Sequence, residues 1–303
     1  MTERRTPAEV LDRSRSHIGS WSSGMQQTHG FDLMFGGDDR LRQNHRAHAR
    51  RVLIGRHLLR DQVEAHAGPI VLMKGLEVAM LYPSSVQRPF RDLDVLVEDP
   101  RVRWDRLVQR GFRSNPTRRL DIEHHHLPAL EDTTGTLGVE FHHRPNVPLW
   151  ASIPTKFIFD TAEPSRTGID DVLRPRDDVH ALLMAMHCWE GGFTRLRDLF
   201  DALLLAASGE ASGEVSVEAT AASLGLRRFW RVTERLAESQ VLGEPARRVP
   251  LQRWIVPTKP GIDQRTKSRL IAPYTVCNPL KVTAAHARAL RLSRDARRGT
   301  TSR

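Results

Sequence analysis

The chain has 303 residues, of which 39% are hydrophobic and 27% are charged. This composition supports a sizeable core and excludes a wholly disordered chain. No apolar run approaches the ~18 residues that span a bilayer, and no apolar signal core follows the N-terminus, so we expect a cytoplasmic protein with no membrane contact. The two cysteines, Cys188 and Cys277, are too few for a disulfide scaffold or a four-cysteine zinc site, which agrees with a reducing compartment.

The formal net charge of +10 is concentrated in one segment. Residues 251–303 contain twelve basic side chains but only two acidic ones, Asp263 and Asp295, so the rest of the chain is neutral. A basic segment of this kind either contacts polyanions such as nucleic acid or a phosphorylated partner, or is simply a solvated tail. The sequence leaves both interpretations open and predicts that this tail is partly disordered.

The first 65 residues predict a helical extension. We expect a loose helix and a loop over residues 1–36, followed by a long amphipathic helix that begins near Asp38 and ends near Gly68. Residues 70–73 form an apolar run between breakers, which predicts a short buried strand, and residues 76–82 are expected to be helical.

Residues 66–150 predict a small core built around a sheet. Strand patterns occur at residues 91–97 and 136–143, a further strand is expected around residues 124–130, and helical spacing covers residues 100–111. This order of strands and helices predicts an α/β (α+β) fold with a small mixed β-sheet.

Residues 151–250 predict a helical domain. An irregular stretch punctuated by prolines precedes it at 145–164, and a Gly/Ser/Ala-rich stretch at 206–213 is expected to interrupt it. The spacing of apolar residues predicts helices at 177–189, 196–204, 218–225 and 227–239, and one more in the basic tail at 282–292.

The pattern Asp92-x-Asp94 lies within an otherwise apolar strand. Side chains alternate along a strand, so both carboxylates project from one face while Leu93 and Val95 project into the core. Two adjacent anions repel each other and are costly to bury unless a cation lies between them. The pattern therefore favours a site for Mg²⁺ or Mn²⁺. The alternative is a surface-facing strand whose aspartates form salt bridges with neighbouring arginines.

Glu140 is the best candidate for a third carboxylate. It stands alone among apolar residues in Leu137-Gly138-Val139-Glu140-Phe141. If Val139 and Phe141 face the core, Glu140 and His142 face the site together.

Cationic residues flank the two aspartates. Lys74-Gly75 lies where a strand meets a helix, a place where glycine lets the backbone approach a phosphate and lysine reaches it as a point charge. The alternative is a plain strand-to-helix turn. Arg88 and Arg91 either hold triphosphate oxygens or neutralise the aspartates.

Histidines cluster around the same strands. For His126 and His142 we expect a role as a metal ligand, an acceptor-binding group or a general base, although polar strand residues near a sheet edge would give the same pattern. A zinc or manganese hydrolase built from these histidines and the aspartates is a further alternative. His187 lies on an apolar helix, where a core residue is the usual interpretation.

These residues together resemble the uncharacterised nucleotidyltransferase family, within the DNA polymerase beta-like nucleotidyltransferase superfamily. The resemblance spans roughly residues 66–205. The motifs that carry it are Lys74-Gly75, Tyr82-Pro83, Arg88-x-x-Arg91-Asp92-Leu93-Asp94-Val95-Leu96-Val97, His126-Leu127, Val139-Glu140-Phe141-His142, and His187 with Arg195-Leu196-Arg197-Asp198-Leu199.

The resemblance implies transfer of a nucleoside monophosphate from an NTP, with ATP as the expected donor, and release of pyrophosphate. It implies that Mg²⁺ or Mn²⁺ is held by Asp92, Asp94 and Glu140. The residues that it implies for nucleotide binding are Lys74, Gly75, Arg88 and Arg91. The acceptor stays open among a small molecule, a peptide, a protein and an RNA.

A second hypothesis keeps the fold without the catalysis. In the superfamily a serine commonly follows the glycine that opens the helix, whereas Leu76 follows Gly75 in this chain. An inactive module would then bind nucleic acid or a protein through the basic segment 251–303.

Overall fold

The structure is a computed structural model. The residues it describes are 5–35, 38–65, 68–83, 86–114, 125–145, 150–213, 216–245, 273–276, 280, 282–284 and 286–287.

In the part of the chain that the structure describes, four helices precede the sheet: α1 (Pro7–Gly19), α2 (Ser23–His29), α3 (Asp32–Phe35) and α4 (Asp38–Ala65). The Thr6 hydroxyl caps α1 by accepting from the backbone N–H of Glu9, whose carboxylate accepts from the Thr6 N–H in return. The long helix α4 confirms the amphipathic helix predicted there. The expected loop within residues 1–36 was wrong in part, because α2 and α3 occupy it.

Within the described residues, seven strands form one mixed sheet: β1 (Ile70–Leu72), β2 (Asp92–Leu96), β3 (Arg113–Ser114), β4 (Leu130–Glu131), β5 (Gly138–His142), β6 (Glu163–Pro164) and β7 (Val172–Arg174). Their order across the sheet is β3-β4-β5-β2-β1-β7-β6. The pairs β2/β5 and β1/β7 are parallel, and the other pairs are antiparallel. This arrangement confirms the predicted α+β class with a mixed sheet.

The remaining helices are α5 (Leu76–Ala79), α6 (Pro100–Gln109), α7 (Thr155–Asp160), α8 (Asp177–Glu190), α9 (Arg197–Ala211), α10 (Val217–Ser223), α11 (Arg227–Val241) and α12 (Pro273–Val276). The predicted break at 206–213 comes later than expected, because α9 continues to Ala211. Its alanines favour a helix, and the packing of Ala206 and Ala207 against the helical core outweighs the glycine and serines of the stretch.

The stretch 145–164 was predicted to be irregular, and that prediction was wrong for about half of its described part. It contains α7 and β6, and the hairpin of β6 with β7 extends the sheet beside β1. These strands of two and three residues are too short to show a side-chain alternation, and Pro164 is tolerated because β6 lies at the sheet edge.

The strand expected around residues 124–130 is present only in part. His126 forms an isolated bridge with His142, and β4 begins at Leu130. His124 lies outside the described residues. The predicted helix at 282–292 also falls largely outside them.

Alternation along β2 divides the core between the two faces of the sheet. Leu93 and Val95 pack with residues of α4 and α6, such as Leu59 and Leu107. Leu96 packs on the opposite face with the larger helical cluster that includes α8, α9 and α11. Asp94 alternates with Leu93 and Val95, so its side chain faces the α8 and α9 side of the sheet.

In the described part of the chain, no helix combines the length and the apolar character that crossing a bilayer requires. The boundaries predicted at 65, 150 and 250 stay predictions. The predicted tail 251–303 lies mostly outside the described residues.

Candidate active site

The parallel pairing of β2 with β5 aligns the acidic residues. Asp94 lies opposite Glu140, Asp92 opposite Gly138, and Leu96 opposite His142. Neighbouring strands in register present their side chains on the same face. The two strands therefore bring Asp94, Glu140 and His142 together, although the first two are 46 positions apart in the sequence.

Lys74 contributes the positive charge of the site. It follows β1 in sequence, and its Nζ lies 2.7 Å from Asp94 Oδ1. Burial opposes ionisation of Asp94, but the Lys74 charge and the neighbouring His142 outweigh it and hold the pKa of Asp94 well below its usual range. Burial likewise opposes the charge of Lys74, yet Asp94 raises the pKa of Lys74 above its ordinary value. Both groups are therefore ionised at neutral pH.

His142 is fully buried beside the carboxylates. Its Nε2 lies 3.3 Å from Asp94 Oδ1 and 3.8 Å from Glu140 Oε2. Neither ring nitrogen meets the geometry of a hydrogen bond within the described part of the chain. Burial lowers the pKa of His142, so the imidazole is neutral at neutral pH.

Among the described residues, Asp94, Glu140 and His142 form a group that could hold a metal ion. One potential ligand atom from each residue lies within 4.8 Å of the others. Atoms bound to one small divalent ion at ~2.0–2.1 Å are roughly 3–4 Å apart, so a small adjustment of side chains would suffice. The donor set of two carboxylates and one imidazole fits a divalent cation.

Asp92 lies at the start of β2, outside that group. Partial desolvation, followed by the negative charge of Asp94, raises the pKa of Asp92 to about 6, even though much of the side chain is exposed. Lys74 and Glu140 also act on this carboxyl, so Asp92 belongs to the same electrostatic cluster. Its role as a metal ligand stays a prediction.

Two further histidines line the site on its β5 side. His126 Nε2 lies 3.7 Å from Glu140 Oε2, and the His126 and His142 ring centroids are 5.0 Å apart. Burial, together with the neighbouring imidazoles, lowers the pKa of His125 to about 2. These imidazoles lie beside the carboxylates of the site, and the predicted auxiliary role of His126 stays a prediction.

Arg88 has a partner on the helical side of the molecule. Its Nε and Nη2 donate to both carboxylate oxygens of Asp201 at 2.7–2.9 Å, and the Tyr82 hydroxyl donates to the same carboxylate at 2.6 Å. Arg88 is 4% exposed and Asp201 is fully buried. The structure therefore gives Arg88 a role in packing the segment before β2 onto α9. A nucleotide contact by Arg88 stays a prediction.

Gly75 is required by the close approach of two chain segments. Its φ is +58°, and a Cβ at this position would overlap the carbonyl oxygen of Asp92. The sequence analysis explained this glycine by the approach of a phosphate. The structure explains it by the approach of the Asp92 backbone. Arg91 is exposed at the entrance to β2. Nucleotide contacts by Gly75 and Arg91 also stay predictions.

Two histidines of helix α8, His180 and His187, lie near Lys74. The charge of Lys74, and then burial, lower the pKa of His187 to about 4, and His187 Nε2 lies 3.8 Å from Asp198 Oδ2. His187 therefore lies near Lys74 and is more than the core residue that the sequence favoured. His180, which the sequence analysis did not single out, donates from Nε2 to the Met73 carbonyl next to Lys74. No local pattern marks His180, because its contact is formed by residues 107 positions apart.

Glu77 was also missed, although its sequence context resembles that of Glu140. It is a lone acid in Leu76-Glu77-Val78-Ala79 and is fully buried. Its carboxylate accepts from the Ser165 hydroxyl at 2.5 Å and from Arg166 Nη1 at 3.1 Å, while Arg166 also pairs with Asp177 at the start of α8. This network ties α5, and so the Lys74-Gly75 turn, to the start of α8.

Comparison with known proteins agrees with this geometry. A family model described as an uncharacterised nucleotidyltransferase matches residues 38–240, a range that contains every candidate residue above. No curated protein and no solved structure matches the chain significantly. Because the family model covers more than half of the sequence, the chain belongs to the uncharacterised nucleotidyltransferase family.

Proposed function

We propose that this protein transfers a nucleoside monophosphate from an NTP to an acceptor and releases pyrophosphate, with the help of a divalent cation. Family membership supports the class of reaction. The observation that carries the proposal is the register of β2 and β5, which sets Asp94 beside Glu140 with His142 buried next to both.

The charge balance of the site supports a role for a divalent cation. Three carboxylates, those of Asp92, Asp94 and Glu140, share the field of one ammonium group, that of Lys74. A divalent cation would offset the excess negative charge and make the burial of Asp94 less costly. Asp94 and Glu140 would hold the cation, with Asp92 available at the exposed end of the strand.

The chemistry asked of the protein is positioning and charge neutralisation. A divalent cation in this class of reaction offsets the charge of phosphate oxygens and lowers the pKa of an attacking hydroxyl. The residues of the chain hold the carboxylates in register on two rigid strands, and Lys74 adds a fixed positive charge at the centre of the cluster. Bulk water has little access to Asp94, which is only 3% exposed.

The donor and acceptor are proposed only by class. We take an NTP, with ATP as the first to test, and an acceptor with a nucleophilic group such as a hydroxyl. A cytoplasmic location, where NTPs are abundant, fits this proposal.

The first experiment is incubation of the protein with labelled NTPs and cell extract, in the presence of Mg²⁺ or Mn²⁺. We expect label to appear on one fraction of the extract. Asp94→Asn should reduce that labelling by about 10³-fold or more, because it removes a charge from the centre of the site. The matched control is Asp160→Asn, which breaks an exposed Lys–Asp pair at 2.6 Å and should leave labelling unchanged.

Two results would contradict the proposal. Labelling that survives Asp94→Asn would remove Asp94 from the chemistry. An absence of labelling with every NTP and fraction would favour the inactive module. In that case salt-sensitive binding to nucleic acid that disappears on deletion of residues 251–303 would support the alternative function.

A further inference from the structure

We propose that His142 is a nitrogen ligand of the divalent cation, and that the site therefore selects a transition-metal ion such as Mn²⁺ over Mg²⁺. This inference rests on the proposed function, because it concerns the same cation. It adds a ligand outside the three predicted carboxylates and a choice of metal.

The burial of His142 is the first observation. The side chain is fully buried, and both ring nitrogens are without a hydrogen-bond partner within the described residues. Buried polar atoms are nearly always paired, because an unpaired one costs stability. A buried imidazole in this condition points to a ligand that the protein alone does not supply.

The position of the ring is the second observation. Nε2 is aimed between the two carboxylates, 3.3 Å from Asp94 Oδ1 and 3.8 Å from Glu140 Oε2. Glu140 and His142 share a face of β5 because they are two residues apart, and Asp94 faces them from β2. Two paired strands hold all three groups, so the ligand set is rigid.

The donor set determines the choice of metal. Mg²⁺ prefers oxygen ligands, gives up its water reluctantly and is rarely bound by imidazole. Mn²⁺, Co²⁺ and Zn²⁺ accept imidazole together with carboxylate. A site that offers a buried imidazole beside two carboxylates therefore favours Mn²⁺, Co²⁺ or Zn²⁺ over Mg²⁺.

His142 has one competing role, which is to hold Asp94 in place by donating a hydrogen bond from Nε2. That role would make it a positioning residue without contact to the cation. The two roles differ in a magnetic signature, because only a coordinated imidazole places a nitrogen nucleus directly on the metal.

The test uses the full-length protein with Mn²⁺ as the probe. Mn²⁺ affinity is measured by continuous-wave EPR, and the coordinating nuclei are identified by pulsed EPR. We expect ¹⁴N coupling in the wild type, its loss in His142→Ala, and a 10- to 100-fold weaker Mn²⁺ affinity in that variant. Mg²⁺ affinity, measured by competition, should be weaker than Mn²⁺ affinity in the wild type and change less than threefold in the variant.

Two further variants keep the result interpretable. His143→Ala removes the next residue of the chain, an exposed histidine, and should leave the ¹⁴N coupling unchanged. His142→Gln keeps a polar side chain of similar reach, so that a loss of coupling cannot be attributed to unfolding once circular dichroism shows a native spectrum.

Bound Mn²⁺ without ¹⁴N coupling, or coupling that survives His142→Ala, would overturn the proposed ligand and leave the proposed transfer reaction intact. Failure of the wild type to bind either Mn²⁺ or Mg²⁺, with or without NTP, would overturn both.

Discussion

Two buried clusters of charge lie on the α8 and α9 side of the sheet, and they differ in how completely their charges are paired. In the Arg88 cluster (Tyr82, Arg88 and Asp201), one guanidinium and one hydroxyl converge on one carboxylate with four hydrogen bonds. In the Lys74 cluster (Lys74, Asp94, Glu140 and His142), one ammonium lies among two carboxylates and a buried imidazole that makes no hydrogen bond within the described residues.

This difference is what we expect if the Arg88 cluster is structural and the Lys74 cluster binds the proposed cation. Asp94 and Asp201 each lie 2.7 Å from a cationic nitrogen, and both are almost fully buried. Their ion pairs therefore look alike when taken singly. What distinguishes them is the hydrogen bonding in the rest of each cluster. In the Arg88 cluster, four hydrogen bonds converge on the Asp201 carboxylate, whereas in the Lys74 cluster the buried His142 imidazole makes none within the described residues.

Removal of Arg88 should have the largest effect on stability. Arg88→Met leaves the Asp201 carboxylate buried without its cation, which should lower the free energy of unfolding by about 3–5 kcal/mol. Urea unfolding measures this. The double variant Arg88→Met with Asp201→Leu should recover much of the loss, because it removes both charges. A double variant that is no more stable than Arg88→Met would show that the cluster is not an independent structural unit.

Gly75→Ala should have the second-largest effect on stability. The added methyl group would overlap the Asp92 carbonyl, and alanine is also strained at a φ of +58°. We expect a loss of about 2–4 kcal/mol in the free energy of unfolding. The control is Gly68→Ala, where φ is +98° but no heavy atom lies within 4 Å. Gly68→Ala should lower the free energy of unfolding only by the part that comes from backbone strain. Equal losses would show that the approach of Gly75 to β2 is unimportant.

Lys74→Met tests the incomplete cluster directly. Without metal it leaves Asp94 buried without its cation, and we expect a loss of about 1–3 kcal/mol in the free energy of unfolding. Added Mn²⁺ should restore much of that loss, because the cation would replace the missing charge. Thermal unfolding with and without Mn²⁺ measures the difference.

The same titration with Arg88→Met should show no rescue beyond the stabilisation of the wild type. Lys156→Met, which breaks an exposed pair, should change stability by less than about 0.5 kcal/mol. Rescue of Arg88→Met to the same extent as Lys74→Met would contradict the distinction between the two clusters.

Local sequence patterns predicted which acidic side chains face away from the core, and the pairing of β2 with β5 places Asp94 opposite Glu140. Asp92-x-Asp94 and the lone Glu140 are local patterns, because an acid among apolar strand residues faces away from the core. The class of the fold followed from the order of strands and helices. These predictions depend on residues close together in sequence.

The partners of the arginines could not be predicted in this way. Arg88 pairs with Asp201, and Arg166 bridges Glu77 to Asp177. Each of these contacts depends on how α8 and α9 pack against the sheet, which no short pattern encodes. The hairpin of β6 and β7 was missed for a related reason, since its short strands are stabilised by pairing with β1.

Glu234 on α11 provides a third case, a mostly buried carboxylate that lies among like charges. Burial, followed by the negative charges of Glu238, Glu210 and Glu218, raises the pKa of Glu234 to about 7, and Arg5 offsets this only in part. The ordinary value is 4.5, so the folded state keeps this proton to higher pH than the unfolded state does. The resulting stability is present below pH ~4.5 and is lost as the pH rises through 7.

Glu234→Gln should therefore be close to the wild type in stability at pH 5 and more stable at pH 8, by about 1–2 kcal/mol after allowance for partial exposure of the side chain. Urea unfolding across this pH range measures the difference. Glu210→Gln removes one neighbouring charge and should give a smaller gain of the same sign. A gain from Glu234→Gln that is constant between pH 5 and pH 8 would show that ionisation of this carboxyl is not the cause. Unlike the Lys74 cluster, this one should gain nothing from Mn²⁺, because its carboxylates have no buried imidazole or lysine organised around them among the described residues.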